Sequence, residues 1–544
     1  MPNSLFSNKR VRILAILLLL ILLTDIAVSV FIKQKLQSIL KQNPITNYTV
    51  SVSDVSFKFI QRNITLKDIK FTPKSKALLN LMEKDLDKNN LDKISAKYIS
   101  INNISFFDFL FHKEINIGEL AVNGLKFYKF KNSESKIKKS GIKIKLDSIP
   151  IKDINGLEVK KFTFNEAQFE SFDFNSNQIT FTSVPLDLKM GGLKLTPNGK
   201  NYFKLEVLGK SFAIKGIGFD NIDYQFKLNS FEYDNTKNIW DLKKLSIHPK
   251  TDKFKLATTK KHNDDIIDVD IQKIQLYNFN IENLINGNGV FIDSVSLEKA
   301  DITIFKDKRK PFNESKRPGL PHIKLKQLKL PLLIKNVALV DCSILVQEKL
   351  AEKDILMEVP INQINASISN VSSIAKYRKA PIIADINALL MKSGKIHAKA
   401  SFNMQDNNHR FYFNGTLSKS KLELFDSALF PALGLKVIKG ELDHLSFQGS
   451  ANSISSEGSM TMLYHDLEAE IFKSNSLEEN KFLSWGVNSL IHESNPKKGK
   501  EPREVIMQFE RVPYKGLGNY FWKTIQSGLV NTLNPVGKKV KKKK

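Results

Sequence analysis

The residues that could do chemistry in this chain are few and scattered. The densest group is "HNDDIIDVD", His262 to Asp270, where one imidazole and several carboxylates fall close together. A metal site would need such ligands to converge on one point. Here Asp268 and Asp270 alternate with Ile267, Val269 and Ile271, the pattern of a polar turn entering a strand, so no metal site is expected. The nine histidines contain no pair at a zinc-binding spacing. Cys342 is the single cysteine, which excludes an internal disulfide and a cysteine-based cluster; it is expected to be a small buried hydrophobe on a strand. No Walker loop, dinucleotide fingerprint or nucleophile elbow is present. No catalytic residue and no cofactor are expected, and the chain is not expected to be an enzyme.

Function must then come from location and shape, beginning with "ILAILLLLILLTDIAVSVFI", Ile13 to Ile32. Twenty helical residues rise about 30 Å, the thickness of a bilayer core. Fifteen of the twenty are Leu, Ile, Val or Phe. At about −0.3 to −0.6 kcal/mol each they outweigh the roughly +3 kcal/mol of one central Asp. A transmembrane signal-anchor spanning Ile13, Leu20, Asp25 and Ile32 is expected, with Asp25 a tolerated polar residue rather than a pairing site for another membrane protein. Lys9, Arg10 and Arg12 put residues 1–12 in the cytoplasm and the body across the membrane. The rival is a cleaved signal peptide, with Ile13–Leu23 as its apolar core and Ala27-Val28-Ser29 before the cut. Val30-Phe31-Ile32 continues the apolar run, which favours the uncleaved anchor; the body is exported either way.

The chain has 544 residues, more than one ordinary domain. Its net charge of +27 suggests anionic neighbours, although AT-rich coding, which enriches Lys, Asn, Ile and Phe together, accounts for part of it. Export argues against nucleic acid and leaves membrane headgroups or anionic glycolipid. The terminal 535–544 segment is a basic tail, with six Lys among the last seven residues.

Beyond the anchor, a β body is expected over 33–420. In "TVSVSDVSFKFIQRNITLKDIKF", Val52, Phe57 and Phe59 alternate with polar residues, Gln61-Arg62-Asn63 turns the chain, and Ile64, Leu66, Ile69 and Phe71 follow. "ISINNISFFDFLFHKEINIGELAVNGLKFYKF" reads as strand. Similar alternation recurs almost to the end, at strand intervals of an antiparallel all-β protein. Two segments, about 98–174 and 275–346, are weakly repeated. Aligning Ile117 with Ile292 superposes Leu120 on Val295 and Val122 on Leu297, at an offset of 175. Both copies then enter a basic loop, "NSESKIKKSG" or "KRKPFNESKRPG", and a strand beginning "IKL" is expected after each, at Ile144 and Ile323. A further β region occupies 421–515. The 516–534 segment is an amphipathic helix whose stripe is Leu517, Phe521, Ile525, Leu529 and Leu533. That helix either caps an open sheet edge, the favoured reading, or lies on a membrane surface with Trp522 at the interface.

The signal-anchor, the long alternating strands, "GELDHLSFQGSANSISSEGSMTMLYHDLEAEIF" and the terminal "YFWKTIQSGL" together resemble AsmA-like envelope proteins of Gram-negative bacteria, in a form common among Bacteroidota. The resemblance implies a long curled antiparallel sheet forming an open hydrophobic groove, and a role in moving phospholipid or another envelope lipid between inner and outer membranes. It implies an inner-membrane, single-pass protein with a periplasmic body. The chain is short for bridging the periplasm alone. The implied groove would be lined by Val52, Phe57, Phe59, Ile64, Leu66, Ile69, Phe71, Ile117, Leu120, Val122, Ile292, Val295 and Leu297. The alternative is a non-enzymatic assembly factor for outer-membrane protein or glycolipid; the sequence names no protein partner.

Overall fold

A computed structural model describes residues 9–42, 48–83, 90–132, 154–197, 203–234, 236–285, 287–350, 356–471, 491–534 and 537–540. The Ile144 strand, Phe472 and the last four lysines lie outside the described residues. The chain is mostly strand, with an apolar N-terminal helix and a C-terminal helix, and it divides into two compact units, Met1–Thr236 and Lys237–Lys544.

The first unit runs α1 (Lys9–Gln42), β1 (Tyr48–Ser51), β2 (Asp54–Lys58), β3 (Asn63–Pro73), α2 (Ser75–Met82), β4 (Asn90–Ile104), β5 (Glu114–Asn123), β6 (Lys126–Lys131), β7 (Gly156–Asp173), β8 (Gln178–Ser183), β9 (Leu186–Pro197), β10 (Phe203–Asp220) and β11 (Tyr224–Asp234). Its helix α1 contains a stretch, Ile16–Ser38, long and apolar enough to cross a membrane. The second unit runs β12 (Ile239–Pro249), α3 (Lys253–Thr259), β13 (Ile266–Tyr277), α4 (Ile281–Ile285), β14 (Val290–Asp307), α5 (Pro321–Lys326), β15 (Leu332–Lys349), β16 (Leu356–Ser372), β17 (Ile382–Leu390), β18 (Gly394–Phe402), β19 (Phe411–Lys421), α6 (Asp426–Leu433), β20 (Leu435–Ala451), β21 (Ser455–Ile471), β22 (Glu504–Glu510) and α7 (Leu517–Leu533).

Most neighbouring strands pair antiparallel, as short polar turns dictate. The sheet is nevertheless mixed, which corrects the all-antiparallel expectation: β5 and β6 pair parallel with β7, and β14 pairs parallel with β15. A parallel return needs a crossover of a dozen residues or more. A basic stretch of sequence of that length separates β6 from β7 and β14 from β15. In the second, the expected strand at Ile323 is instead the helix α5, which Pro321 opens at its first turn.

The same offset that relates the two sequence segments runs through both parallel ladders. Ile117 pairs with Val159 and Ile292 with Ile334; Leu120 with Phe162 and Val295 with Val337. Each second pair lies 175 residues after the first. The two ladders share an interruption after Asn123–Asn165 and after Glu298–Val340. The residues at the interruption are left-handed in both copies: Gly124 (φ 61°) and Glu166 (φ 54°) in one, Lys299 (φ 51°) and Asp341 (φ 52°) in the other. The pairing offset is 42 residues on both sides of the break, so the left-handed residues interrupt the ladder without shifting its register.

Helices guard an edge strand in each unit. In the first, β1 and β2 both pair with β3, and α1 runs beside β2. Asp25 Oδ1 accepts the Phe59 N–H at 2.7 Å and Ser29 Oγ accepts the Phe57 N–H at 2.7 Å. In the second, Ser527 Oγ of α7 accepts the Gln508 N–H of β22 at 2.9 Å, and Asn531 Nδ2 donates to Ile506 O at 2.8 Å. Each helix uses two polar side chains one turn apart to satisfy backbone groups that would otherwise recruit a foreign strand. Asp25 thus binds its own chain, a role the sequence did not suggest.

Candidate functional site: an apolar track across the strands

Partners in a ladder share a face, as do residues two apart along a strand. Following the ladders sideways therefore maps each face. In the first unit, Phe57 pairs with Ile64, Ile64 with Ile101 and Ile101 with Leu120. The row continues through Phe162, Met190, Phe212 and Tyr233. Two residues away, a second row runs Val55, Leu66, Ile99 and Val122, then Phe164, Leu188, Ile214 and Phe231. No polar side chain other than the Tyr233 hydroxyl interrupts either row.

The second unit repeats this arrangement. One row runs Trp240, Leu276, Val295, Val337 and Ile368, and its neighbour runs Leu242, Ile274, Leu297, Leu339 and Ala366. The first continues on the small Ala384 and Ala400, and the second on Ile386 and Ala398. They end on Phe413 and Gly449, and on Gly415 and Phe447. The opposite face has a different chemistry. Its row is Asp241, Gln275, Ser296, Ala338, Ser367 and Asp385, then Lys399 and Asn414, with one apolar residue among the eight. On that face Lys399 Nζ lies 3.0 Å from Asp385 and His397 Nε2 2.9 Å, and the Lys399 hydrogen bond holds the Asp385 carboxyl below its usual range, with His397 adding to it.

Cover over the track differs along its length. Over β12–β18, Val269, Ile271, Ala300, Cys342, Ile364 and Ala388 are buried, and among the described residues the hydrophobic side chains packed against them come from β12–β18. Leu297, Leu339 and Ala366 remain half-buried. Over β20–β22 the face is closed: Met460, Val505 and Met507 are 1% exposed or less beneath α7. The helix approaches closely because Thr524, Gly528 and Thr532 face inward; a Cβ on Gly528 would lie 2.8 Å from Met507 Cγ.

Seven expected groove residues fall on the two rows: Phe57, Ile64, Leu66, Leu120, Val122, Val295 and Leu297. The others do not. Phe59 is 48% exposed at the hairpin tip, and Val52 is half-buried between β1 and β2. Ile69 and Phe71 lie past the left-handed Asp68 and pair with Ala96 and Ile94. Ile117 and Ile292 stand in neighbouring rows, three residues from Leu120 and Val295, beside the left-handed Asn103 and Asn278. The expected lining left out Val55, Phe162, Phe164, Val337 and Leu339, which their register against the chosen residues places on the rows. The run "SFFDFLF" is not strand: Asp108–His112 forms a π-helical turn that leaves its large apolar side chains exposed.

Of the anchor residues, Ile13 and Leu20 are exposed at 50% and 54%, while Asp25 and Ile32 face the body. Of the terminal stripe, Leu533 is buried and Leu517, Phe521, Ile525 and Leu529 pack half-buried on the closed core. Asp268 and Asp270 face His248, not His262, with Nδ1 2.7 Å and Nε2 3.4 Å from them. These side chains are 38–52% exposed and lie close enough together that they could hold a metal ion. No protein-family model matches this chain, and no curated protein matches it in sequence.

Proposed function

We propose that this chain is a membrane-anchored, non-enzymatic lipid-binding and transfer protein. In this reading α1 holds it in the inner membrane with residues 1–12 in the cytoplasm. The β body stands in the periplasm and carries phospholipid or another envelope lipid along the track, in support of the outer membrane. The observation that carries the proposal is the row Ile274, Leu297, Leu339, Ala366 and Ile386, half-buried, in a hydrophobic cluster whose described members all lie on β12–β18. Acyl chains would find there the environment they have in a bilayer. Each CH₂ kept from water is worth about 0.8 kcal/mol, so a chain gains little by leaving and loses little by sliding one strand onward. Headgroups stay in water, and no bond is made or broken. The likeness to AsmA-like proteins agrees with this reading.

The test places a photo-crosslinking side chain at Leu339, on the track, and separately at Ala338, on the polar face, in the full chain expressed in a Gram-negative host. Phospholipid is expected to co-purify and to crosslink at position 339 several-fold more than at 338. A lipid-free chain, or equal crosslinking at both positions, would overturn the proposal.

A further inference from the structure

One end of the first unit carries an apolar surface that the track does not use. Phe59 and Ile60, at the β2–β3 turn, are 48% and 67% exposed. Phe107, Phe109, Leu110 and Phe111 are 62%, 51%, 71% and 71% exposed. The two groups form one surface: Phe106 stacks on Phe59 at 5.8 Å, and the Ile104 N–H donates to Arg62 O at 3.0 Å. Polar groups of the loop point the other way. Asp108 Oδ2 accepts from Asn116 Nδ2 at 2.9 Å, and Asn155 Nδ2 donates to His112 O at 2.7 Å. The loop therefore spends its hydrogen bonds on the body and turns its rings outward, the reverse of an ordinary surface turn.

The position of this surface follows from α1. Phe57 N–H binds Ser29 and Phe59 N–H binds Asp25. Ser29 and Asp25 lie about 4 Å and about 10 Å below Ile32 along the helix axis. Two strand residues advance by about 7 Å, matching the turn of helix between the two acceptors. If α1 spans a bilayer, the β2–β3 tip is carried below the end of the apolar span. A depth of about 5–10 Å is that of interfacial elements which bury apolar side chains among acyl chains.

We propose that the Phe106–Phe111 loop and the Phe59–Ile60 tip form a membrane wedge, inserted among the acyl chains of the leaflet nearest the body. It rests on the anchored reading of α1 and adds that the first strands stand in the bilayer rather than above it. Asp25 and Ser29 fix the depth of the wedge. Arg62 and Lys113 border it, with stems long enough to bring their charges to lipid phosphates. Lipid entering the first rows of the track would then never cross water.

The full chain, reconstituted in phosphatidylethanolamine–phosphatidylglycerol vesicles, is labelled with an environment-sensitive fluorophore at Leu110→Cys, and in separate variants at Phe111→Cys, Leu23→Cys and Ile222→Cys. Cys342 is 4% exposed, and mock-labelled unsubstituted chain supplies the blank. Ile222 lies at the opposite end of the first unit's strands and is 86% exposed. Lipid bearing a shallow acyl-chain quencher is expected to quench labels at 110 and 111 about threefold or more beyond that at 222, as an interfacial depth requires. Labels at 110 and 111 that stay in water while 23 is quenched would overturn the wedge and leave the anchor standing. Labels in water at all three positions would overturn both. Labels at 110 and 111 shielded from water yet unquenched would place the loop against protein and overturn the wedge.

Discussion

Single residues in this chain show what the backbone demands, because the repeat supplies a second version of each position. Gly124 and Lys299 occupy the same place in the two parallel ladders, and both are left-handed. Glycine takes that conformation without steric cost, whereas a side chain pays for the clash of its Cβ with the backbone. Glycine also loses more freedom on folding, which offsets part of the gain. Lys299→Gly is therefore expected to stabilise the second unit by a few tenths to about 1 kcal/mol. Lys299→Val, β-branched at a positive φ, is expected to cost about 1 kcal/mol or more. Denaturant midpoints of the two variants, compared with the parent, check the order; a valine variant as stable as the glycine variant would contradict the left-handed conformation at position 299.

At the scale of elements, the face of each strand was legible from alternation, and the neighbours of each strand were not. Leu120, Val122, Val295 and Leu297 fall on the apolar rows, where each sits in a run of period two. Ile117 and Ile292 looked equivalent to them and were not, since a left-handed residue on the neighbouring strand breaks the simple count. The parallel pairs were hidden because strand composition carries no direction; only the length of the basic loops could have revealed them. In α7 the conspicuous stripe concealed the closer contact, made by Thr524, Gly528 and Thr532, because small residues have no hydrophobic signature. The end of that helix is tied down at His492, whose N–H donates to Leu533 O at 3.1 Å and whose carbonyl accepts the Tyr464 hydroxyl at 2.8 Å. Burial lowers the His492 pKa to about 4, and Arg503 and Lys497 push the same way. A histidine held neutral in the fold but free to protonate when unfolded stabilises fully above its ordinary pKa of about 6.5. That contribution is lost as pH falls from about 6.5 toward about 4. Hydrogen exchange at the α7 C-terminus is expected to speed up between pH 7 and pH 4.5, after correction for intrinsic rates. His492→Gln should remove most of that dependence; an unchanged profile in the variant would assign it to another group.

For the whole molecule, an apolar track explains why lipid could be held but not which membrane the chain would meet. Hydrocarbon is alike in every leaflet, so any choice of surface has to be electrostatic. The net charge of +27 is large for a chain of 544 residues, and the acidic residues that exist are often already paired, as in Lys399–Asp385, Lys439–Glu468 and Lys419–Glu441. In the proposed reading the excess cations act outward, on headgroups or anionic glycolipid. Near an anionic surface each basic residue is worth about 1 kcal/mol, falling away within a Debye length. That length shrinks from about 10 Å at 0.1 M salt to about 4 Å at 0.5 M. Full chain anchored in neutral phosphatidylcholine vesicles is thus expected to capture a second population of vesicles containing phosphatidylglycerol. Capture should weaken by about tenfold or more between those salt concentrations, if as few as two basic residues engage the surface. Equal capture of neutral vesicles, or capture indifferent to salt, would mean that the charge does not face a membrane. The bilayer carrying α1 would then be the only one this surface addresses.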